Sequence, residues 1–210
     1  MRHPSDEDFF RRIIPGLLGW CSEEKARRLA QIVRHRRART VVEIGVFGGR
    51  SLVALGVGGR HVGARVVGID PYAAAASLEG KNSAENDEWW ARVDYEAVYR
   101  DAQNAASLVG ASVMRAKSID VAPLFDAGGV DVIHIDGNHS EETSTEDVRV
   151  WLPKLALGAF IIFDDIAWST TNRAQKMILD AGCVLVDSRI AKDESWGVFQ
   201  AVGVDLKSCS

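Results

Sequence analysis

The chain has 210 residues, 47% of them hydrophobic and 26% charged, which suits one domain with a full-sized core. Its formal net charge of −4 gives no support to a nucleic-acid partner, and no apolar stretch is long enough to cross a membrane. The polar N-terminus does not read as a signal peptide. Cys21, Cys183 and Cys209 are too few and too widely spaced for a disulfide framework. We therefore expect a cytoplasmic protein that binds neither nucleic acid nor membranes.

Two helices are predicted ahead of the first strand. The second begins after Ser22, a residue type that caps helices well, and it buries Leu29 and Val33 at helical spacing. Residues 1–39 are accordingly predicted to form an N-terminal helical extension, and residues 40–210 to form the domain that carries the functional site.

Short apolar runs then alternate with segments of helix length. Runs rich in Val and Ile are typical of parallel strands covered on both faces. The predicted strands are residues 41–44, 66–69, 111–114, 130–135 and 159–163, and the predicted helices are residues 51–57, 95–108, 141–155 and 171–181. Two last strands, at residues 183–188 and 197–202, are separated by too few residues for a helical crossover. The pattern predicts an α/β fold with a Rossmann-like, doubly wound, seven-stranded sheet and an antiparallel C-terminal hairpin.

A glycine-rich loop follows the first strand and reads EIGVFGGRS from Glu43 onwards. Gly45, Gly48 and Gly49 let the backbone turn sharply and approach a ligand closely. Ser51 either caps the next helix or contacts that ligand. Glu43 would repel a pyrophosphate but can hold an ammonium group, directly or through water. The loop therefore favours a cofactor that has an ammonium group over a nicotinamide dinucleotide.

Asp70 ends the second predicted strand, where an acidic residue can accept hydrogen bonds from ribose hydroxyls. A glycine loop alone is a weak signal, and Asp70 strengthens it. A nucleotide-dependent oxidoreductase on a similar sheet is the alternative, and a binding module without chemistry is a third possibility.

Glu43-x-Gly45, Asp70 and the terminal hairpin resemble the class I S-adenosylmethionine-dependent methyltransferases over roughly residues 40–203. The resemblance implies that Gly45 and its neighbours line the methionine part of S-adenosylmethionine and that Asp70 binds the ribose. It also implies that Ser118, in the turn after the third strand, hydrogen-bonds near the adenine.

Three carboxylates follow the next two strands. Asp136 terminates the fourth strand, and Asp164 and Asp165 terminate the fifth. Neighbouring parallel strands end at the same sheet edge, so the three should converge there. Clustered carboxylates repel one another unless a cation compensates, and Mg²⁺ (or Mn²⁺) prefers such oxygen ligands. The alternative, that such an Asp only orders a turn, applies most readily to Asp136, which precedes Gly137.

The two histidines near this edge have different predicted roles. His134 lies within the fourth strand and is predicted to be a hydrogen-bonded core residue. His139 follows that strand in the loop facing the cofactor crevice, where an imidazole can remove a proton at neutral pH. We assign catalytic roles to His139 and Asp136.

One segment carries a narrower resemblance. IDGNH from Ile135 and GAFIIFDD from Gly158 resemble the metal-dependent O-methyltransferases that act on sugars of natural products and polysaccharides, such as the macrocin-type enzymes. That group implies Asp136, Asp164 and Asp165 as metal ligands. The length and composition are also similar to those of mycobacterial mannoside 1-O-methyltransferases.

The predicted reaction is methyl transfer from S-adenosylmethionine to a hydroxyl of a sugar or methylated mannoside, assisted by a divalent metal and a histidine base. A phenolic or catechol acceptor is the alternative. The resemblance also suggests a homodimer, with the helices before Thr40 as the extra contact surface.

A long insertion at residues 72–95 carries Trp89 and Trp90. It leaves the sheet edge at which ligands bind, so it is either a lid or substrate-recognition loop, or a loop anchored to the core by its two Trp side chains. The sequence leaves both interpretations open.

Overall fold

The computed structural model describes residues 4–80 and 84–203. Seven strands in this part of the chain form one sheet with the order β3-β2-β1-β4-β5-β7-β6. The strands are β1 (Thr40–Ile44), β2 (Arg65–Asp70), β3 (Ser112–Arg115), β4 (Val130–Ile135), β5 (Leu155–Asp164), β6 (Cys183–Ile190) and β7 (Ser195–Ala201). The first five are parallel, and β7 is antiparallel to both β5 and β6. The predicted fold and hairpin are confirmed.

Helices cover both faces of this sheet. They are α1 (Asp6–Asp8), α2 (Glu23–Arg36), α3 (Arg50–Gly59), α4 (Ala74–Ser77), α5 (Ala84–Trp90), α6 (Tyr95–Ser107), α7 (Ser118–Val121), α8 (Glu141–Trp151) and α9 (Asn172–Asp180). One hydrophobic cluster packs α2, α3 and α6 on one face, and a second packs α8 and α9 on the other. Within the described residues no helix is both long and apolar enough to span a bilayer.

The N-terminal segment packs into the main core. Phe9, Phe10 and Leu29 are at most 2% exposed and share a hydrophobic cluster with Val41 of β1. As predicted, Ser22 caps α2, its side chain accepting a hydrogen bond from the amide of Lys25. The helices of residues 1–39 thus form part of the layer that covers the sheet.

The structure decides between the two interpretations of Ser51 and corrects one strand boundary. Helix α3 is capped by Gly49, whose φ of 88° is left-handed, so Ser51 is not the cap. A side chain at the cap would be strained in that conformation, which is why glycine occupies it. Strand β5 begins at Leu155, because a 3₁₀ turn at Leu152–Lys154 follows α8 and contains Pro153.

The insertion contains two short helices, α4 and α5, while residues 81–83 lie outside the described part. Asn138, in the loop after β4, donates hydrogen bonds to the carbonyls of Ala76, Ser77 and Glu79. The insertion is therefore tied to the loop that carries His139. Cys21 and Cys183 form no disulfide, and Cys209 lies outside the described residues.

Candidate active site

A cavity of about 470 Å³ lies at the carboxyl ends of β1, β2 and β4. The predicted site residues that line it are Gly45, Ser51, Asp70, Ser118, Asp136 and His139. Glu43, Gly48, Gly49, Asp164 and Asp165 lie around it without lining it. We call residues 43–51 with Asp70 the glycine-loop side, and Asp136, His139, Asp164 and Asp165 the carboxylate side. Gly45, Ser51 and Asp70 line the cavity from the first side, and Asp136 and His139 line it from the second.

Gly45 brings the two sides together. Its φ is +81°, and a Cβ built on it would lie 2.0 Å from the carbonyl oxygen of Asp136. The amide of Asp136 also donates to the carbonyl of Ile44 at 2.8 Å. Gly48 is equally crowded, since a Cβ there would lie 2.3 Å from the Cβ of Leu18. The glycines therefore permit close backbone packing as well as a ligand cradle.

Asp70 organises the glycine loop. One oxygen of its carboxylate accepts hydrogen bonds from the amides of Val46 and Phe47, both at 3.0 Å, and the other accepts from Tyr72 at 2.8 Å. Burial raises the pKa of Asp70, although these amides act in the opposite direction. A carboxylate has further lone pairs, so Asp70 can also accept a ligand hydroxyl from the cavity it lines.

Glu43 lies beneath the cavity. It is fully buried, and one of its oxygens lies 2.7 Å from Nδ1 of His134 on the neighbouring strand. The other oxygen, Oε2, is buried without a hydrogen-bond partner. The predicted contact with a cofactor ammonium is therefore not a direct one in this arrangement, and the partnerless oxygen is the atom that a bridging water would satisfy.

Ser118 donates a hydrogen bond to Asp147, a buried residue of α8 that sequence reasoning missed. Both residues line the cavity. Burial raises the pKa of Asp147 from 3.8 to about 7 despite the Ser118 hydroxyl. A polar residue on the inner face of an amphipathic helix was the available signal, because Val148 and Trp151 beside it are buried.

The predicted metal ligands belong to two overlapping groups that share Asp136. Ligand atoms of Asp136, His139 and Asp165 all lie within 4.8 Å of one another, and Nε2 of His139 is 3.2 Å from Asp165. Asp165 has a left-handed φ of 53°, which turns the chain directly after β5. Burial and the neighbouring carboxylate of Asp164 raise the pKa of Asp136. Two carboxylates and an imidazole beside a cavity can hold a divalent cation.

Asp164 also lies close to Asp136, since ligand atoms of His134, Asp136 and Asp164 are all within 4.8 Å of one another, but both of its oxygens are engaged. Oδ1 lies 3.1 Å from Nε2 of His134, and Oδ2 accepts a hydrogen bond from the ammonium of Lys25. Burial lowers the pKa of His134, but Asp164 more than compensates and the pKa is raised to about 9. As predicted, His134 is a hydrogen-bonded core residue, and it is fully buried.

Lys25 is the second residue that sequence reasoning missed. Its side chain is 2% exposed, and Nζ lies 3.7 Å from Oδ2 of Asp136 as well as beside Asp164. The signal was present, because Lys25 precedes Leu29 by four residues and so lies on the buried stripe of α2. A lysine on an otherwise apolar stripe needs a buried acidic partner.

Four aromatic side chains form a surface at the mouth of the cavity. Trp20, Phe47, Trp89 and Trp90 contact one another with ring centroids 4.7–6.4 Å apart. Trp20 is 62% exposed and Trp89 44% exposed, while Trp20, Phe47 and Trp90 line the cavity. The two Trp side chains of the insertion thus pack on Trp20 and on Phe47 of the glycine loop.

Known proteins match this chain in two ways. The sequence matches the family described as "Methyltransferase domain" over residues 42–166, more than half of its length. No curated protein sequence matches it significantly. Among solved structures, the O-methyltransferase from Bacillus cereus in complex with SAH has a TM-score of 0.63 at 17% identity, with 95% of this chain and 92% of that chain covered.

Two further solved structures agree with that fold. The O-methyltransferase TomG from Streptomyces achromogenes, involved in tomaymycin synthesis and in complex with SAM, has a TM-score of 0.61 at 17% identity, covering 97% of this chain and 93% of that chain. Cofactor-bound Rv0187 from MTB has a TM-score of 0.62 at 16% identity, covering 89% of this chain and 84% of that chain. These likenesses establish a methyltransferase-type Rossmann-like fold. With the family match over residues 42–166, they show that the chain belongs to the methyltransferase-domain family.

Proposed function

We propose that this protein transfers a methyl group from S-adenosylmethionine to a hydroxyl of a small molecule. The family match favours this activity over the oxidoreductase alternative, and two of the similar structures are O-methyltransferases in complex with SAM or SAH. One observation carries the proposal: a single cavity joins the glycine-loop side to Asp136 and His139. A methyl donor and a proton acceptor can thus meet in one cavity.

The glycine-loop side would hold S-adenosylmethionine. Gly45 leaves no side chain between the loop and the backbone of Asp136, and Asp70 offers a carboxylate to the ribose hydroxyls. Ser118, after β3, and Asp147, on α8, are hydrogen-bonded to each other in the cavity lining and suit the polar edge of the adenine. Ser51 lines the same cavity beneath the loop.

The carboxylate side would hold Mg²⁺ or Mn²⁺, with Asp136 and Asp165 as the ligands nearest the cavity. Asp164, the third ligand implied by the resemblance, is engaged by Lys25 and His134. A bound divalent cation would act as a Lewis acid that favours the ionised form of the acceptor hydroxyl. Two carboxylates completed by water and substrate oxygens are sufficient for Mg²⁺.

His139 would take the proton of the acceptor hydroxyl. Its ring lines the cavity, and Asp165 at 3.2 Å can hold the imidazole in position and stabilise its protonated form. As the O–H bond breaks, the oxygen forms a bond to the sulfonium methyl carbon and the carbon–sulfur bond breaks. The products are a methyl ether and S-adenosylhomocysteine.

A sugar-like acceptor, including a mannoside, is our proposal for the substrate class. The resemblance to macrocin-type and mannoside enzymes motivates it, and the aromatic surface of Trp20, Phe47, Trp89 and Trp90 could stack on the apolar face of a sugar ring. The same surface could stack on a phenol or catechol, which stays the alternative. We also propose a homodimer, which light scattering after size-exclusion chromatography would test.

The decisive experiment is a methyl-transfer screen with isotopically labelled S-adenosylmethionine. Sugars, mannosides, phenols and catechols are offered with Mg²⁺ and with a chelator. We expect transfer to a sugar hydroxyl that depends on the metal. Transfer only to catechols would overturn the sugar proposal, and undiminished transfer in chelator would overturn the metal. Thermal shifts with S-adenosylhomocysteine and with NAD test the cofactor, since only the true ligand stabilises the fold.

A further inference from the structure

A buried ammonium lies where the sequence predicts part of a divalent metal site. Lys25 reaches the carboxylate side from α2, and its side chain is 2% exposed. Its Nζ donates to Oδ2 of Asp164 and lies 3.7 Å from Oδ2 of Asp136. It therefore contacts two of the three carboxylates that the resemblance assigns to the metal.

The position of Lys25 is fixed by its helix. Both the amide and the hydroxyl of Ser22, the cap of α2, donate to the carboxylate of Glu194 at 3.0 and 2.8 Å. Leu29, one turn further along the same stripe, is 1% exposed within the core. Helix α2 is thus anchored at its start and along its buried face, and this places the ammonium of Lys25 beside Asp164.

Charge makes two cations at Asp164 mutually exclusive. A buried ammonium is tolerated only when it is paired, and Asp164 is its nearest partner. Nε2 of His134 lies 3.1 Å from the other oxygen of Asp164, so both oxygens of this carboxylate are already engaged. A divalent ion on the same carboxylate would be repelled by the ammonium of Lys25.

We propose that Lys25 is the resident cation of Asp164, so that the exchangeable metal is confined to Asp136 and Asp165 beside the cavity. Lys25 is then a positioning residue, which holds Asp164 and compensates the charge of Asp136. This inference rests on the proposed function for the existence of the exchangeable metal. The inference gives helix α2, which precedes the sheet, a role in holding Asp164.

The test is Mn²⁺ binding to the full chain, measured by electron paramagnetic resonance without any acceptor. Lys25→Met removes the charge and keeps the length, and Lys176→Met removes an exposed lysine charge as the matched control. We expect Lys25→Met to bind Mn²⁺ at least about tenfold more tightly than wild type, because Asp164 becomes a ligand. Adding Asp164→Asn should abolish that gain, whereas Asp164→Asn alone should change wild-type affinity less than about twofold.

Each other outcome has a defined meaning. Equal affinity in wild type and Lys25→Met, or a loss in Asp164→Asn as large as in Asp165→Asn, overturns the inference. Wild type without Mn²⁺ binding removes the metal from the proposed function, yet a gain in Lys25→Met still supports the role of Lys25. No binding in either protein overturns both.

A second measurement needs no variant. Lys25 is the only buried lysine among residues 4–80 and 84–203, so in ¹⁵N-lysine-labelled protein its ammonium should give a signal protected from solvent exchange. We expect that signal to persist at saturating Mg²⁺. Loss of protection when Mg²⁺ binds would show that the metal displaces Lys25 and would overturn the inference.

Discussion

The two sides of the cavity are assembled from contacts of very different sequence separation. On the glycine-loop side, Asp70 holds amides that lie 24 and 23 residues before it. On the carboxylate side, Asp164 pairs with His134, 30 residues away, and with Lys25, 139 residues away. The glycine-loop side is built within one local βαβ unit. The contacts of the carboxylate side form only when α2 is packed on the sheet. Cofactor binding and proton transfer should therefore respond to different substitutions.

His139→Gln should have the largest effect of the variants, and it should lower the rate of methyl transfer without weakening cofactor binding. Removing a general base typically lowers kcat by about 10²–10⁴-fold. The affinity for S-adenosylhomocysteine, measured by calorimetry, should stay within about twofold because His139 lies on the carboxylate side. His61→Gln, a change at an exposed histidine paired with Asp6, is the control and should leave both quantities unchanged. If the affinity for S-adenosylhomocysteine fell as much as kcat in His139→Gln, the two sides of the cavity would not act separately.

Gly45→Ala should affect both sides, because its added Cβ would meet the backbone of Asp136 at 2.0 Å. We expect at least about a 10²-fold loss of S-adenosylhomocysteine affinity, together with lower thermal stability. Gly63→Ala is the matched control, since Gly63 has a similar φ of +69° and open space around it. Its cost should be about 1 kcal/mol, without an effect on ligand affinity. If Gly45→Ala and Gly63→Ala had the same effect on stability and on ligand affinity, the close contact between Gly45 and the backbone of Asp136 would be contradicted.

These comparisons also show what the sequence could and could not predict. The positions of the strands, the hairpin and the turn at Gly45 depend on local apolar patterns and on a turn that needs glycine. The convergence of Asp136, Asp164 and Asp165 follows from parallel strands ending at one edge. Lys25 was missed because its partner lies in a distant strand, and a polar residue on an apolar stripe does not identify the acid it will meet.

Asp147→Asn should change the pH dependence of stability on the glycine-loop side. Because burial raises the pKa of Asp147 from 3.8 to about 7, the unfolded chain releases this proton at lower pH than the folded chain. The contribution of Asp147 to stability is thus complete below pH 3.8 and is lost as the pH rises to about 7. Thermal unfolding should show that Asp147→Asn loses less stability than wild type over that pH range. Asp101→Asn, at an exposed position of α6, should leave the pH profile unchanged.

Ser22→Ala should have the smallest effect, and it tests the anchoring of α2. The variant loses a helix cap and a contact to Glu194, so the free energy of unfolding should fall by about 1 kcal/mol. Ser140→Ala, at the cap of α8, offers a comparison on the opposite face of the sheet. If Ser22→Ala leaves stability unchanged in chemical denaturation, α2 is held by its apolar face alone.

The central claim is that cofactor binding and metal-assisted proton transfer are separate functions of one cavity. Asp165→Asn tests it most directly, with S-adenosylhomocysteine affinity and the methyl-transfer rate to the screened acceptor measured on the same preparation. We predict an unchanged affinity and a transfer rate reduced by at least about 10²-fold, to the level of wild type in excess chelator. Undiminished transfer in Asp165→Asn, or a parallel loss of cofactor affinity, would contradict the account.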